Sequence, residues 1–243
     1  MQSKILFRCS QLGKLMIEPR SKTETLSETT KKYLAEVYAS VKYGRKKDIV
    51  NKYIQKGLMV EEDAITLLSR LDKQMFLKNE VHLKNDFIMG TPDIYEGPDI
   101  EHAEVITDTK ASWDIFTFFA AKTESINKDY YWQGQGYMAL TGAKLFKLRY
   151  CLVDTPDVLI NDAKRKFMWS AGILDENTIT EEAFAEIEKN CLFNDIPIPE
   201  RVHTIEIQYN QDDVNRLYMR IEDCRDYIQK TFNFPMVQIP ETV

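Results

Sequence analysis

Leu34, Val37, Tyr38 and Val41 recur at the i, i+3, i+4, i+7 spacing of one helical face, and Ser27 stands where an N-cap would open that helix. A second helix is expected from Asp48 to Gln55, stopping near Gly57, and a third carries Ala64, Leu68 and Leu71 on one side. Glu61 lies three residues before Ala64 and seven before Leu68, so it shares their inward side, where an acid needs a partner. The period then shortens. Val81-His82-Leu83-Lys84 alternates, Asn85-Asp86 reads as a turn, and Phe87-Ile88-Met89 is apolar. A strand over 103–110 follows, with helices around Ile115–Ala121 and Asp129–Leu140 and a strand Phe146–Val153. Helical segments near 157–169 and 181–191 lead to a strand at Thr204–Gln208 and a terminal helix with Val214, Leu217, Ile221, Cys224 and Ile228 as its core stripe. Helices first, then strands with intervening helices, predict an α/β (α+β) domain. No repeat, low-complexity run or compositional shift marks a boundary, so 1–243 reads as one domain with a basic helical part over 1–75.

Composition adds two constraints. No run of 18 apolar residues exists, and the first residues, MQSKILFRCS, lack the apolar stretch of a signal peptide. Cys9, Cys151, Cys191 and Cys224 are far apart with no C-x-x-C pair, which argues against a zinc ribbon or close-spaced iron–sulfur ligands. The expectation is a reduced, cytoplasmic protein without a membrane span. The net charge of −6 is unevenly spread: residues 1–60 hold 13 Lys/Arg against 5 Asp/Glu, the rest 19 against 33. A basic first quarter, including Arg45-Lys46-Lys47, can meet phosphates, whereas the acidic remainder repels nucleic acid unless cations neutralise it.

The candidate chemistry starts at EVITDTKAS, residues 104–112. Residues i and i+2 of a strand share a face, so Asp108 and Lys110 can flank one phosphate, with Thr109 between them. An acid-x-Lys triplet alone is weak, since Asp162-Ala163-Lys164 repeats it in a helical stretch, and Pro-Asp occurs at 92–93, 98–99 and 156–157. The order is more specific. GLMVEEDA (57–64) contains Glu61, GTPD (90–93) ends a strand pair, DTK (108–110) lies on the next strand, and QGQGY (133–137) on the helix after it. This order resembles the PD-(D/E)XK nuclease superfamily, in its branch of RecB-type and phage lambda exonuclease-like domains that includes YqaJ-like viral recombination nucleases. The resemblance covers roughly residues 10–150, with a catalytic core at about 57–153; the helices and strand of 154–243 lie outside it.

The resemblance implies a central mixed β-sheet flanked by helices and a Mg²⁺-dependent deoxyribonuclease, with Mn²⁺ as substitute and two ions per site. Glu61, Asp93, Asp108 and the Thr109 carbonyl would be metal ligands, Lys110 and Asp108 catalytic residues, and Gln133 the glutamine that buttresses the site. Thr91, in the hydroxyl position of the S/T-P-D motif, and Ser10, opening the helix SQLGKLM, would meet a terminal phosphate, with Arg8 nearest to the family's N-terminal arginine. Tyr137 and Arg45 complete the expected DNA contacts. Asp stands here where Glu is commoner before x-Lys, and the superfamily uses either. Implied too are 5′ to 3′ digestion of duplex ends in phage-type recombination, an annealing-protein partner, a ring-shaped homotrimer, and a bacterial or phage-infected cytoplasm.

Bland readings compete residue by residue: a structural ion pair for Asp108 and Lys110, a capping role for Glu61, helix packing for Gln133 and Tyr137. His82 reads as an exposed structural residue, and the density of Phe116, Phe118 and Phe119 as core, which leaves Trp113 as the aromatic worth testing for base stacking. A RecB-like single-strand nuclease, an endonuclease, and a non-catalytic nucleic-acid-binding module on the same fold are the alternative functions.

Overall fold

The computed structural model describes residues 4–45, 47, 51–173 and 181–234. Its centre is a four-stranded sheet in the order β4-β5-β6-β7, formed by Ile94–Glu96, Val105–Ala111, Leu145–Cys151 and Val202–Gln208. β5 and β6 are parallel, and β4 and β7 flank them antiparallel, so the sheet is mixed. A smaller sheet joins β1 (Phe7–Arg8), β3 (Ile88–Gly90) and β2 (Leu83–Lys84). Between β5 and β6 run α5 (Ile115–Thr123) and α6 (Lys128–Thr141), the crossover that a parallel pair requires.

Alternation along β5 and β6 divides the core. Ile106, Phe146 and Leu148 pack with α6, α1 (Leu12–Leu15) and α9 (Gln211–Phe232). On the other face Ile94, Cys151 and Val153 meet Ala64 and Leu68 of α4 (Glu61–Asp72). α6 is buried from Trp132 to Met138 and has no polar face to spare. A Cβ at Gly134 would lie 2.4 Å from the Phe146 ring and one at Gly136 2.5 Å from Leu12, so glycine lets this helix approach β6 and α1. α7 (Asp157–Ser170) and α8 (Glu181–Lys189) pack together beyond the sheet.

Several expectations need correction. α2 (Glu28–Tyr43) is capped by Ser27 as expected, but Val41 is exposed; only Leu34 of its stripe is fully buried. α3 (Lys52–Met59) runs through Gly57, opening at Asn51, whose side chain accepts from the Ile54 N–H; residues 48–50 lie outside the described ones. Ser10 does not open a helix: Cys9–Gln11 form a 3-10 turn before α1. Val81 and His82 precede β2 and are exposed. Phe116 and Phe119 are exposed too, and only Phe118 enters the core. β1 and β4 were not anticipated, because two- and three-residue strands have no alternation of their own and exist through their partners. The Asn85-Asp86 turn follows the sequence reading, Asn85 Oδ1 accepting from the Phe87 and Ile88 N–H groups, while Asp162 of α7 pairs with Lys166 rather than with Lys164. Among the described residues no helix is long and apolar enough to cross a membrane.

Candidate active site

Strand geometry puts Asp108 and Lys110 on the face of β5 that looks to α6, and Thr109 on the opposite face. Lys110 Nζ donates to Asp108 Oδ2. Gln133, on the buried side of α6, donates from Nε2 to Asp108 Oδ1 at 2.8 Å and meets the Tyr137 hydroxyl at 3.2 Å, so both oxygens of Asp108 are engaged. The turn before β4 brings Asp93 to Thr109, whose backbone N–H and hydroxyl both donate to Asp93 Oδ2, at 2.7 and 2.9 Å. Glu61 occupies the first turn of α4 and pairs with Lys78 at 3.2 Å. Its side chain is 22% exposed, so its inward side is a cavity wall rather than the core.

These groups meet at an open cavity of about 650 Å³. Ser10, Glu61, Asp93, Thr109, Lys110, Trp113 and Gln133 line it; Asp108 lies just beneath, 2% exposed. Burial pushes the Asp108 carboxyl up; Lys110 opposes that rise, and the charges of Asp93 and Glu61 add to it. Burial alone would lower Lys110, but the Asp108 charge and hydrogen bond outweigh it and hold the ammonium above the ordinary lysine range. The site is thus a knot of acids with incomplete compensation.

Other expected residues sit apart from the cavity. Thr91 directs its hydroxyl to His82 Nδ1 at 3.0 Å, and Tyr137 is buried behind Gln133. Arg8 and Arg45 are exposed and line no part of the cavity; Lys46 lies outside the described residues. Sequence reasoning missed three contributors. Asn79 clamps the Pro92-Asp93 turn, donating to the Pro92 carbonyl at 2.9 Å and from its backbone to the Asp93 carbonyl at 2.7 Å. Tyr130 lies under Lys110, 5.0 Å from ring centre to Nζ. Being three residues before Gln133, it was findable by helical spacing. Lys56, fully buried, donates to the Ser112 and Trp113 carbonyls.

The donor chemistry suits a hard divalent cation: carboxylates from Glu61, Asp93 and Asp108, with no sulfur or imidazole in the cavity lining among the described residues. Among the described residues no three acids, histidines or cysteines already form a metal cluster, and lysines engage two of the three carboxylates.

No protein-family model and no curated protein matches the chain. Solved structures do. A phage-related exonuclease from Haemophilus somnus 129PT is 26% identical, with a TM-score of 0.71 over 95% of this chain and 96% of that one. The alkaline exonuclease LHK-Exo from Laribacter hongkongensis, 12% identical, matches at 0.61 over 95% and 94%. Its complex with dAMP, 14% identical, matches at 0.59 over the same shares. The likeness therefore includes the C-terminal third that the motifs left unmatched. With both chains covered almost end to end and the motifs converging on one cavity, the chain has the fold of these exonucleases and resembles the lambda exonuclease-like, YqaJ-like branch of the PD-(D/E)XK nucleases.

Proposed function

We propose that the protein is a Mg²⁺-dependent DNA exonuclease that degrades duplex ends from the 5′ side, in phage-type recombination. The observation that carries this reading is the convergence of Asp93, Asp108, Lys110 and Gln133 from β5, α6 and the turn before β4. Its support from relatives is that the similar solved structures are exonucleases, one of them holding dAMP.

Each side chain has a distinct task. Gln133 orients Asp108 without neutralising it, and Thr109 does the same for Asp93 through two donors. Lys110, resting on Tyr130 at the cavity surface, holds the attacking water and meets the charge that develops on the phosphodiester. Mg²⁺ held by Glu61, Asp93, Asp108 and the Thr109 carbonyl, in two sites with Mn²⁺ as substitute, would supply Lewis-acid stabilisation of the attacking and leaving oxygens. To admit cations, Lys110 and Lys78 must release Asp108 and Glu61. A ring-shaped trimer and a single-strand annealing partner belong to the same reading.

The test is hydrolysis in Mg²⁺ of linear duplex labelled separately at its 5′ and 3′ ends, beside a closed circle. We expect early release of the 5′ label, faster from a 5′-phosphate than from a 5′-hydroxyl end, with the circle resistant. Asp108→Ala should lower the rate by orders of magnitude while the chain stays folded, because removing a metal carboxylate takes away several kcal/mol of transition-state stabilisation. Near-wild-type hydrolysis by that variant would refute the metal assignment; rapid cutting of the circle would leave an endonuclease on the same core.

A further inference from the structure

α3 turns an apolar side to the cavity. Tyr53, Ile54 and Leu58 are 53%, 41% and 74% exposed, yet all three line the space that holds Glu61, Asp93 and Lys110. Trp113 joins them, edge-on to Tyr53 with ring centres 6.0 Å apart. The Lys52 ammonium lies 4.4 Å from the Trp113 ring centre and 5.1 Å from that of Tyr53. Aromatic and aliphatic groups left in water beside a polar site are apolar area that nothing among the described residues covers.

Gly57 belongs to the same wall. Glycine inside a helix is less favourable than alanine and needs a reason. At Gly134 and Gly136 the reason is a neighbouring side chain, but a Cβ at Gly57 would meet nothing within 4 Å. No packing within the described residues requires it. Its bare backbone faces the cavity four residues before Glu61, on the other side of the Val60 junction.

Trp113 is also held at a cost. Lys56 is fully buried and its ammonium donates to the carbonyls of Ser112 at 2.8 Å and Trp113 at 3.1 Å, with no carboxylate in ion-pair contact among the described residues. Burying a cation without a counter-charge opposes folding, and both bonds fasten the turn that carries the tryptophan.

We propose that Trp113, Tyr53 and the uncovered backbone at Gly57 form a stacking surface for unpaired bases of the DNA strand whose phosphates reach the acid–lysine cluster. The proposal rests on the nuclease reading above. Every base has a π face, so an aromatic wall takes any sequence, as sequence-independent digestion requires, and Lys52 adds attraction for the neighbouring phosphate. A nucleobase is the occupant because base and scissile phosphate belong to one nucleotide, and the cavity holds the aromatic wall and the reacting groups together.

The test measures binding of a fluorescently labelled single-stranded oligonucleotide to the full chain in Ca²⁺, beside KM and kcat for duplex hydrolysis in Mg²⁺. Trp113→Ala should weaken binding and raise KM by roughly 10-fold or more, the effect of removing one stack, and Trp113→Phe should recover most of it. Gly57→Ala should raise Tm by about 2–4 °C through helix propensity yet weaken binding, because its methyl group occupies space meant for a base. Wild-type affinity and KM in both Trp113→Ala and Gly57→Ala would overturn the proposal. Trp113-dependent binding by a wild-type chain that hydrolyses nothing would instead refute the catalytic reading and leave the stacking surface standing.

Discussion

Gln133 meets Asp108 with a neutral amide, and the choice has a chemical consequence. An arginine there would orient the carboxylate but also cancel its charge, whereas an amide leaves that charge for a cation. In Gln133→Leu the Asp108 Oδ1 would be without its 2.8 Å donor, and only the Lys110 bond to the other oxygen would remain. We expect hydrolysis to fall about 10–100-fold, as for other residues that orient metal ligands, with more Mg²⁺ needed for half-maximal rate. Mg²⁺ titration of initial rates, with Tm alongside, checks this; an unchanged Mg²⁺ requirement would make Gln133 a packing residue. Thr109 is a similar case: the variable position of the motif supplies both donors that orient Asp93.

At the scale of elements, α3 and α4 meet at Val60, which ends one helix and opens the next, so a shift of α3 is felt at Glu61. Lys56 anchors α3 to the end of β5. Burial pulls its ammonium down to about 8, the Cys191, Asp154 and Asp114 charges opposing the shift. The folded value is below the ordinary 10.5, so between these two pH values the unfolded chain binds the extra proton. This group therefore makes the fold more stable as pH rises from about 8 toward 10.5, and its penalty, a few kcal/mol at most, is fully present below pH 8. Lys56→Met should remove that gain: the difference in urea midpoint between variant and wild type should change across pH 8–10. Taking the difference cancels the tyrosines and cysteines that titrate in the same range, and a constant difference would mean that Lys56 titrates normally.

Across the whole molecule, the sign of charge separates two tasks. The acidic remainder of the chain carries the carboxylates of the site, and the first 60 residues carry a net +8. Arg45 and Lys47 are both exposed, and Lys47 pairs with Glu36 at 2.5 Å. An exposed ion pair of this kind is weak enough for a phosphate to displace its carboxylate, so both cations can serve a DNA backbone. Replacing Arg45 and Lys47 together by alanine should weaken DNA binding at low salt and flatten the dependence of log K on log salt. The slope should fall by up to about 0.9 for each phosphate that these side chains neutralise. Anisotropy titrations between roughly 50 and 200 mM salt, where phosphate neutralisation is strongly felt, check this; an unchanged slope would place the DNA path elsewhere.

The sequence by itself determined what depends on neighbours along the chain. Two-residue periodicity puts Asp108 and Lys110 on one face of β5 wherever that strand lies, and helical spacing puts Gln133 and Tyr137 one turn apart on α6. The long helices and the strands of seven residues were legible for the same reason: each has enough repeats to show its period. Tertiary structure decided whatever joins distant segments. β4 is a strand because Ile94–Glu96 finds β5, and no three-residue pattern announces that. Asn79 reaches the Pro92-Asp93 turn, Lys78 reaches Glu61, and Lys56 reaches a carbonyl 56 residues away. Such contacts have no spacing rule, because loops and packing, rather than backbone geometry, set the distance between their partners.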